Sequence, residues 1–138
     1  MADLAVTAAN VVRGTGAKVE TGIAGAVITA GQAVYKDAAD SDRFKLADAD
    51  SGTAAVRTTR GIALNGAAAN QPLAVQLEGR IVIGAIVAVG TIYVQSDVAG
   101  AIRPAADNGS GDYVTILGVG VSASEIDLFI RPSGVVAP

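Results

Sequence analysis

Short apolar runs alternate along the chain with breaks rich in Gly, Asn and Asp, and no segment sustains the i, i+3, i+4 spacing that an amphipathic helix requires. The pattern predicts an all-β protein. Candidate strands are Leu4 to Thr7, Ala17 to Thr21, Ala26 to Thr29, Ala33 to Lys36, Gly61 to Leu64, Leu73 to Leu77, Arg80 to Ile83, Thr91 to Gln95, Tyr113 to Val121 and Glu125 to Arg131. The last begins with strict alternation (Glu125, Ile126, Asp127, Leu128), the signature of a half-buried strand. Ala favours helices, but here it flanks Gly, Val, Ile and Thr in short segments, so tertiary context should override its propensity. The one predicted helical turn is Ser51 to Val56, which the cluster Asp48-Ala49-Asp50-Ser51 could cap. Asn65-Gly66 and Asn108-Gly109 are the sharpest turn signals.

The order of these elements recurs. Gly25-Ala26-Val27-Ile28-Thr29-Ala30-Gly31 aligns with Gly84-Ala85-Ile86-Val87-Ala88-Val89-Gly90 at a shift of 59 residues, and Val34-Tyr35 then faces Tyr93-Val94. Phe44-Lys45 faces Ile102-Arg103, Gly61-Ile62-Ala63-Leu64 faces Gly118-Val119-Gly120-Val121, and Val75-Gln76-Leu77 faces Leu128-Phe129-Ile130. These collinear matches predict a single β domain over residues 17–138 with an internal repeat at about 25–79 and 84–131. The expected architecture is a compact barrel or sandwich built from two similar β halves, with at most a short helical turn. Residues 1–16 fall outside the repeat and carry Leu4, Val6, Val11 and Val12 without an obvious partner segment, which predicts an extended N-terminal arm able to form a strand.

Composition narrows the chemistry. A chain of 138 residues supports one modest core. With 51% hydrophobic but only 4% aromatic residues, that core is built from small aliphatic side chains. The absence of His and Cys excludes a Cys or His nucleophile, a Ser-His-Asp triad, disulfides and metal sites that use imidazole or thiolate. The net charge of -3, with ten scattered Lys and Arg, argues against nucleic acid as a partner. The N-terminus carries Asp3 where a secretory signal needs positive charge, so no export signal is expected. The longest apolar stretch, Ile81 to Val94, falls short of the roughly 20 residues that cross a bilayer and reads as two strands, so no membrane partner is expected. Mean hydropathy of +0.46 at 17% charged residues instead suggests a protein surface as partner.

Few motifs carry chemistry. Asp50-Ser51-Gly52-Thr53 matches the aspartic-protease signature, in which two carboxylates share a proton, and would require a homodimer. It follows Leu46-Ala47-Asp48-Ala49 rather than an apolar strand, so a polar turn or helix cap is the preferred reading. Asp48 and Asp50 open like a calcium loop, but Thr59 stands where the bidentate Glu belongs. Gly118-Val119-Gly120-Val121-Ser122-Ala123 matches a dinucleotide fingerprint yet leads into a strand, not a helix. Gly14-Thr15-Gly16-Ala17-Lys18 lacks the ends of a phosphate loop, Lys36 lacks the flanks of a lipoyl or biotinyl lysine, and Asn108-Gly109-Ser110 is read as a turn. The chain is therefore expected to be no enzyme, with no cofactor and no resident metal.

The whole pattern resembles the small Gly/Ala/Val-rich family of phage capsid cement, or head decoration, proteins. The likeness rests on Leu4-Ala5-Val6-Thr7-Ala8-Ala9-Asn10, on the run from Ala24 to Tyr35, on Arg60-Gly61-Ile62-Ala63-Leu64-Asn65, on Gly90-Thr91-Ile92-Tyr93-Val94 and on the run from Asp112 to Gly120. It covers nearly the full length, in strings of small residues. The resemblance implies a structural virion protein, made in the host cytoplasm, that binds the outer surface of a mature HK97-type capsid. It would bridge neighbouring major capsid proteins, as a homotrimer in many relatives. On that reading Leu4, Val6, Val11 and Val12 are the expected capsid-binding residues, adding an edge strand to a neighbouring sheet. The rival from another class is a virion-surface adhesion module for glycans, which the absence of Trp and the scarcity of Tyr oppose.

Overall fold

A computed structural model describes residues 3–137. Ten strands form one antiparallel, curled sheet: β1 (Val12–Arg13), β2 (Lys18–Ile23), β3 (Ala33–Asp37), β4 (Arg43–Leu46), β5 (Gly61–Ala63), β6 (Pro72–Val82), β7 (Ile92–Gln95), β8 (Ile102–Pro104), β9 (Tyr113–Gly120) and β10 (Glu125–Val136). The only helical elements among the described residues are three single 3-10 turns, at Ala8–Asn10, Ala38–Asp40 and Ala105–Asp107. The all-β expectation holds. The helical turn predicted at Ser51 to Val56 is instead a run of bends and hydrogen-bonded turns, closed by Val56 N–H donating to the Thr53 carbonyl at 3.1 Å.

Strand order in the sheet is β4-β3-β5-β6-β10-β9-β7-β8, with β1 and β2 also on β6. Outward from the central β6–β10 pair, the sequence is β5, β3, β4 on one side and β9, β7, β8 on the other. The segment pairs that match in sequence therefore sit at equal ranks from the centre. Long β6 is the organising element. β2 lies against it from Pro72 to Glu78 and β1 at Ile81 and Val82, while β5 pairs at Val75 and Gln76 and β10 from Glu78 to Val82. β5 and β10 thus follow one another along the same edge.

Small, alternating side chains let both faces of this sheet be covered. Ala33 and Tyr35 of β3 enter one core with Ile62, Ile81, Tyr93, Leu117, Ile126 and Leu128, whereas Val34 between them enters a second with Phe44, Ala63, Leu73 and Val75. The two outer edges are closed by the protein's own chain. Gly25 N–H donates to the Phe44 carbonyl of β4 at 2.8 Å, and Leu4 N–H donates to the Ile102 carbonyl of β8 at 2.8 Å. Closing these edges blocks the strand pairing between molecules that open edges invite.

Several boundaries differ from the sequence expectation. Leu73 to Leu77 and Arg80 to Ile83 fuse into the single strand β6: Gly79, at a positive φ of 86°, passes close under the Gly16-Ala17 main chain while still paired with Leu128, and a register shift against Lys18 and Val19 falls just before it, at Leu77. Leu4 to Thr7 and Ala26 to Thr29 are not strands; the latter holds a single bridge, Ile28 to Ala67. β1, β4 and β8 form at Val12, Phe44 and Ile102, outside the candidate strands. No helix among the described residues is long and apolar enough to cross a membrane.

Candidate functional site

The arm expected to reach outward is laid along its own domain. From Asp3 it runs extended to a 3-10 turn at Ala8–Asn10 and enters β1. Leu4 and Val6 pack against the larger core, and Val11 belongs to it. Val12 alone of the four predicted contact residues faces outward, 56% exposed, while its backbone pairs with Val82. The strand-forming capacity legible in this segment is thus used within the chain: the structure brings Leu4, Val6 and Val11 together on the core and separates Val12 from them.

What fastens the arm is a buried charge hub that the sequence did not mark. Arg103, on β8, is 1% exposed. Its Nε donates to Asp3 Oδ1 at 3.0 Å, its Nη2 donates to Asp97, and its Nη1 donates to Asp112 Oδ2 at 3.5 Å. Ser96 Oγ adds a 2.8 Å hydrogen bond to Asp3 Oδ1. One guanidinium therefore joins the arm, the turn after β7 and the turn before β9. Burial would lower the Arg103 pKa, but the hydrogen bonds and charges of Asp3 and Asp97 outweigh it and hold the group above its ordinary value. Arginine suits this position because its planar fork reaches three acceptors at once.

The hub holds more carboxylates than one cation neutralises, and proton affinity rises accordingly. Asp48 is pushed up to about 6, first by burial and then by the hydrogen bond its protonated form shares with Asp50. Burial and the neighbouring charge of Asp97 raise Asp112 despite the guanidinium beside it. A raised carboxylate pKa means that the folded state holds its proton to higher pH than the unfolded chain does. Asp48 therefore makes stability fall as pH climbs from about 4 through about 6, and Asp112 acts in the same direction.

Asp50, Asp97 and Asp112 each place one carboxylate oxygen within 4.8 Å of the others, an oxygen set of the kind hard cations use. Asp97 and Asp112 already accept from Arg103, which supplies positive charge to two of the three. Asp50 itself is exposed, with its N–H on Asp48 Oδ1 at 3.3 Å, and Ser51 Oγ accepts from Thr53 N–H at 3.2 Å. Asp50-Ser51-Gly52 accordingly sits in a polar turn and not at the end of an apolar strand. Gly118 to Gly120 lie within β9, which turns directly into β10, and Lys36 donates to Glu20 Oε2 at 2.8 Å. Comparison with protein-family models and with curated proteins finds no match for this chain.

Proposed function

We propose that this protein is a structural component of a phage head: it binds the outer surface of the mature HK97-type shell, as a homotrimer, and bridges neighbouring major capsid proteins without making or breaking covalent bonds. The observation that carries the reading is the character of the exterior. The domain covers the two outer edges of its sheet with its own chain and fills its own cores, yet Val12, Val27, Val89, Val98 and Val135 remain more than half exposed, at 56, 72, 69, 55 and 62%. Such side chains serve no purpose inside the domain and suit contact with a protein surface. The adhesive alternative has a single exposed ring to stack on, Phe129 at 39%, since Tyr35, Tyr93 and Phe44 are buried and Tyr113 lies under the Arg57 guanidinium at 3.5 Å.

A stable interface buries about 800 Å² on each partner, and joining several such contacts through one assembly multiplies avidity without new chemistry. The docked arm changes what it would contribute: of Leu4, Val6, Val11 and Val12, only Val12 is exposed to a neighbour while the domain is intact. The test is to mix the purified protein with expanded and unexpanded shells of its phage and quantify what remains bound after sedimentation. The expected result is saturable binding to expanded shells only, with occupancy of Val12→Asp at limiting concentration reduced about tenfold, the worth of one buried aliphatic side chain. Equal binding to both shells, or to neither, contradicts the reading.

A further inference from the structure

β5 and β10 share one edge of β6, and where one gives way to the other the surface opens. Beyond Phe129, β10 leaves β6 and continues to Val136 paired only with β9. The chain leading into β5 stands across the gap, and between them lies a groove of about 610 Å³, within the size range of ligand clefts. Lys18, Lys36, Arg60 and Arg131 line it, and its apolar wall includes Leu77 and Ile130. Glu78 also lines it, and Glu20 beside it accepts from Lys36 at 2.8 Å and from Arg60 at 2.9 Å. Even so, cations exceed carboxylates here, on a chain whose net charge is -3. Lys18 and Arg131 are exposed and have no ion-pair partner among the described residues.

We propose that this groove binds an acidic, partly apolar segment of another polypeptide in extended form. The cations around an apolar wall match carboxylates interleaved with aliphatic side chains. The β6-facing edge of β10 past Phe129 has no strand beside it, so an extended segment also meets open main chain. Pro132, which lacks an N–H, limits how far a hydrogen-bonded ladder can run there. A nucleic-acid strand fits less well, because none of the described lining residues is aromatic and bases would find nothing to stack on. The inference needs only the groove, and stands or falls separately from the head-surface reading.

The test is titration of the full-length protein with a synthetic blocked peptide, Asp-Leu-Glu-Val-Asp-Leu-Glu, followed by amide chemical shifts and calorimetry. Binding that perturbs the amides of Lys18, Arg60 and Arg131, and that weakens at least tenfold in the Lys18→Glu/Arg131→Glu double variant, is the expected result. Both positions are exposed and outside any ion pair among the described residues, so the variant should fold, which its unchanged spectrum away from the groove would verify. Equal affinity for the charge-inverted peptide, affinity unchanged by the double variant, or tighter binding of a single-stranded oligonucleotide would each overturn the proposal.

Discussion

Arg103→Met is expected to lose about 3–5 kcal/mol of stability at pH 7, because removing one partner of a buried ionic cluster leaves the others desolvated and unpaired. Here Asp3, Asp97 and Asp112 would face one another without the guanidinium they now share. Methionine keeps much of the volume, so the loss reports charge and not a cavity. The pH dependence distinguishes the two causes. Without Arg103 the already raised Asp112 rises further in pKa, so the folded state takes up a proton that the unfolded chain does not, and part of the lost stability returns as pH falls from 7 to 5. Urea midpoints at the two pH values measure this. A variant within about 1 kcal/mol of the parent at pH 7, a difference typical of ordinary substitutions, would remove the hub from the account.

Gly79→Ala should be nearly as damaging. Gly79 has φ +86°, a conformation that costs a side-chain-bearing residue about 1–3 kcal/mol. A Cβ there would also overlap the Gly16 carbonyl and the Ala17 nitrogen, main-chain atoms that cannot rotate aside, which adds about 1–3 kcal/mol of overpacking. The combined loss of about 4 kcal/mol corresponds to a fall in Tm on the order of 10–20 °C for a chain of this size. Gly52 provides the control, since its Cβ would meet nothing within 4 Å and its φ is not positive. If Gly79→Ala melts at the same temperature as Gly52→Ala, the positive φ and close main-chain approach at Gly79 do not shape β6 as described.

The sequence exposed the fold wherever apolar alternation ran long enough to set a face. Tyr113 to Gly120 and Glu125 onward are strands because inward Leu117, Ile126 and Leu128 recur at the β period. Short strands carried too little pattern by themselves; Phe44-Lys45 and Ile102-Arg103 stood out only as matching members of the repeat. Gly79 interrupted the apolar pattern of β6 without interrupting the strand, since at positive φ it stays paired with Leu128 where a turn is the common outcome. Leu4 to Thr7 shows the opposite error: its residues favour a strand, but its side chains are spent on the core and its backbone makes one bond to β8.

The charge hub was illegible for a different reason. Arg103 meets Asp3 from 100 residues away, and the partners nearer in sequence, Asp97 and Asp112, lie on different turns. No local spacing announces such a meeting. The only hint was an arginine between Ile102 and Pro104 in a segment matched to a buried strand. The basic groove was hidden likewise, because Lys18, Lys36, Arg60 and Arg131 are scattered singly along the chain and converge only when β10 parts from β6.

If the protein contributes contact area to an assembly, its effect must appear as mechanical or thermal resilience of the shell that it covers. Anything that binds one state of an equilibrium and not the other stabilises that state by mass action. The direct measurement is the temperature at which expanded, DNA-filled heads stripped of this protein release their DNA, recorded as the protein is added back. The account predicts that the release temperature rises with occupancy and levels off when the surface is saturated, and a release temperature that stays constant while the protein visibly covers the shell would contradict it.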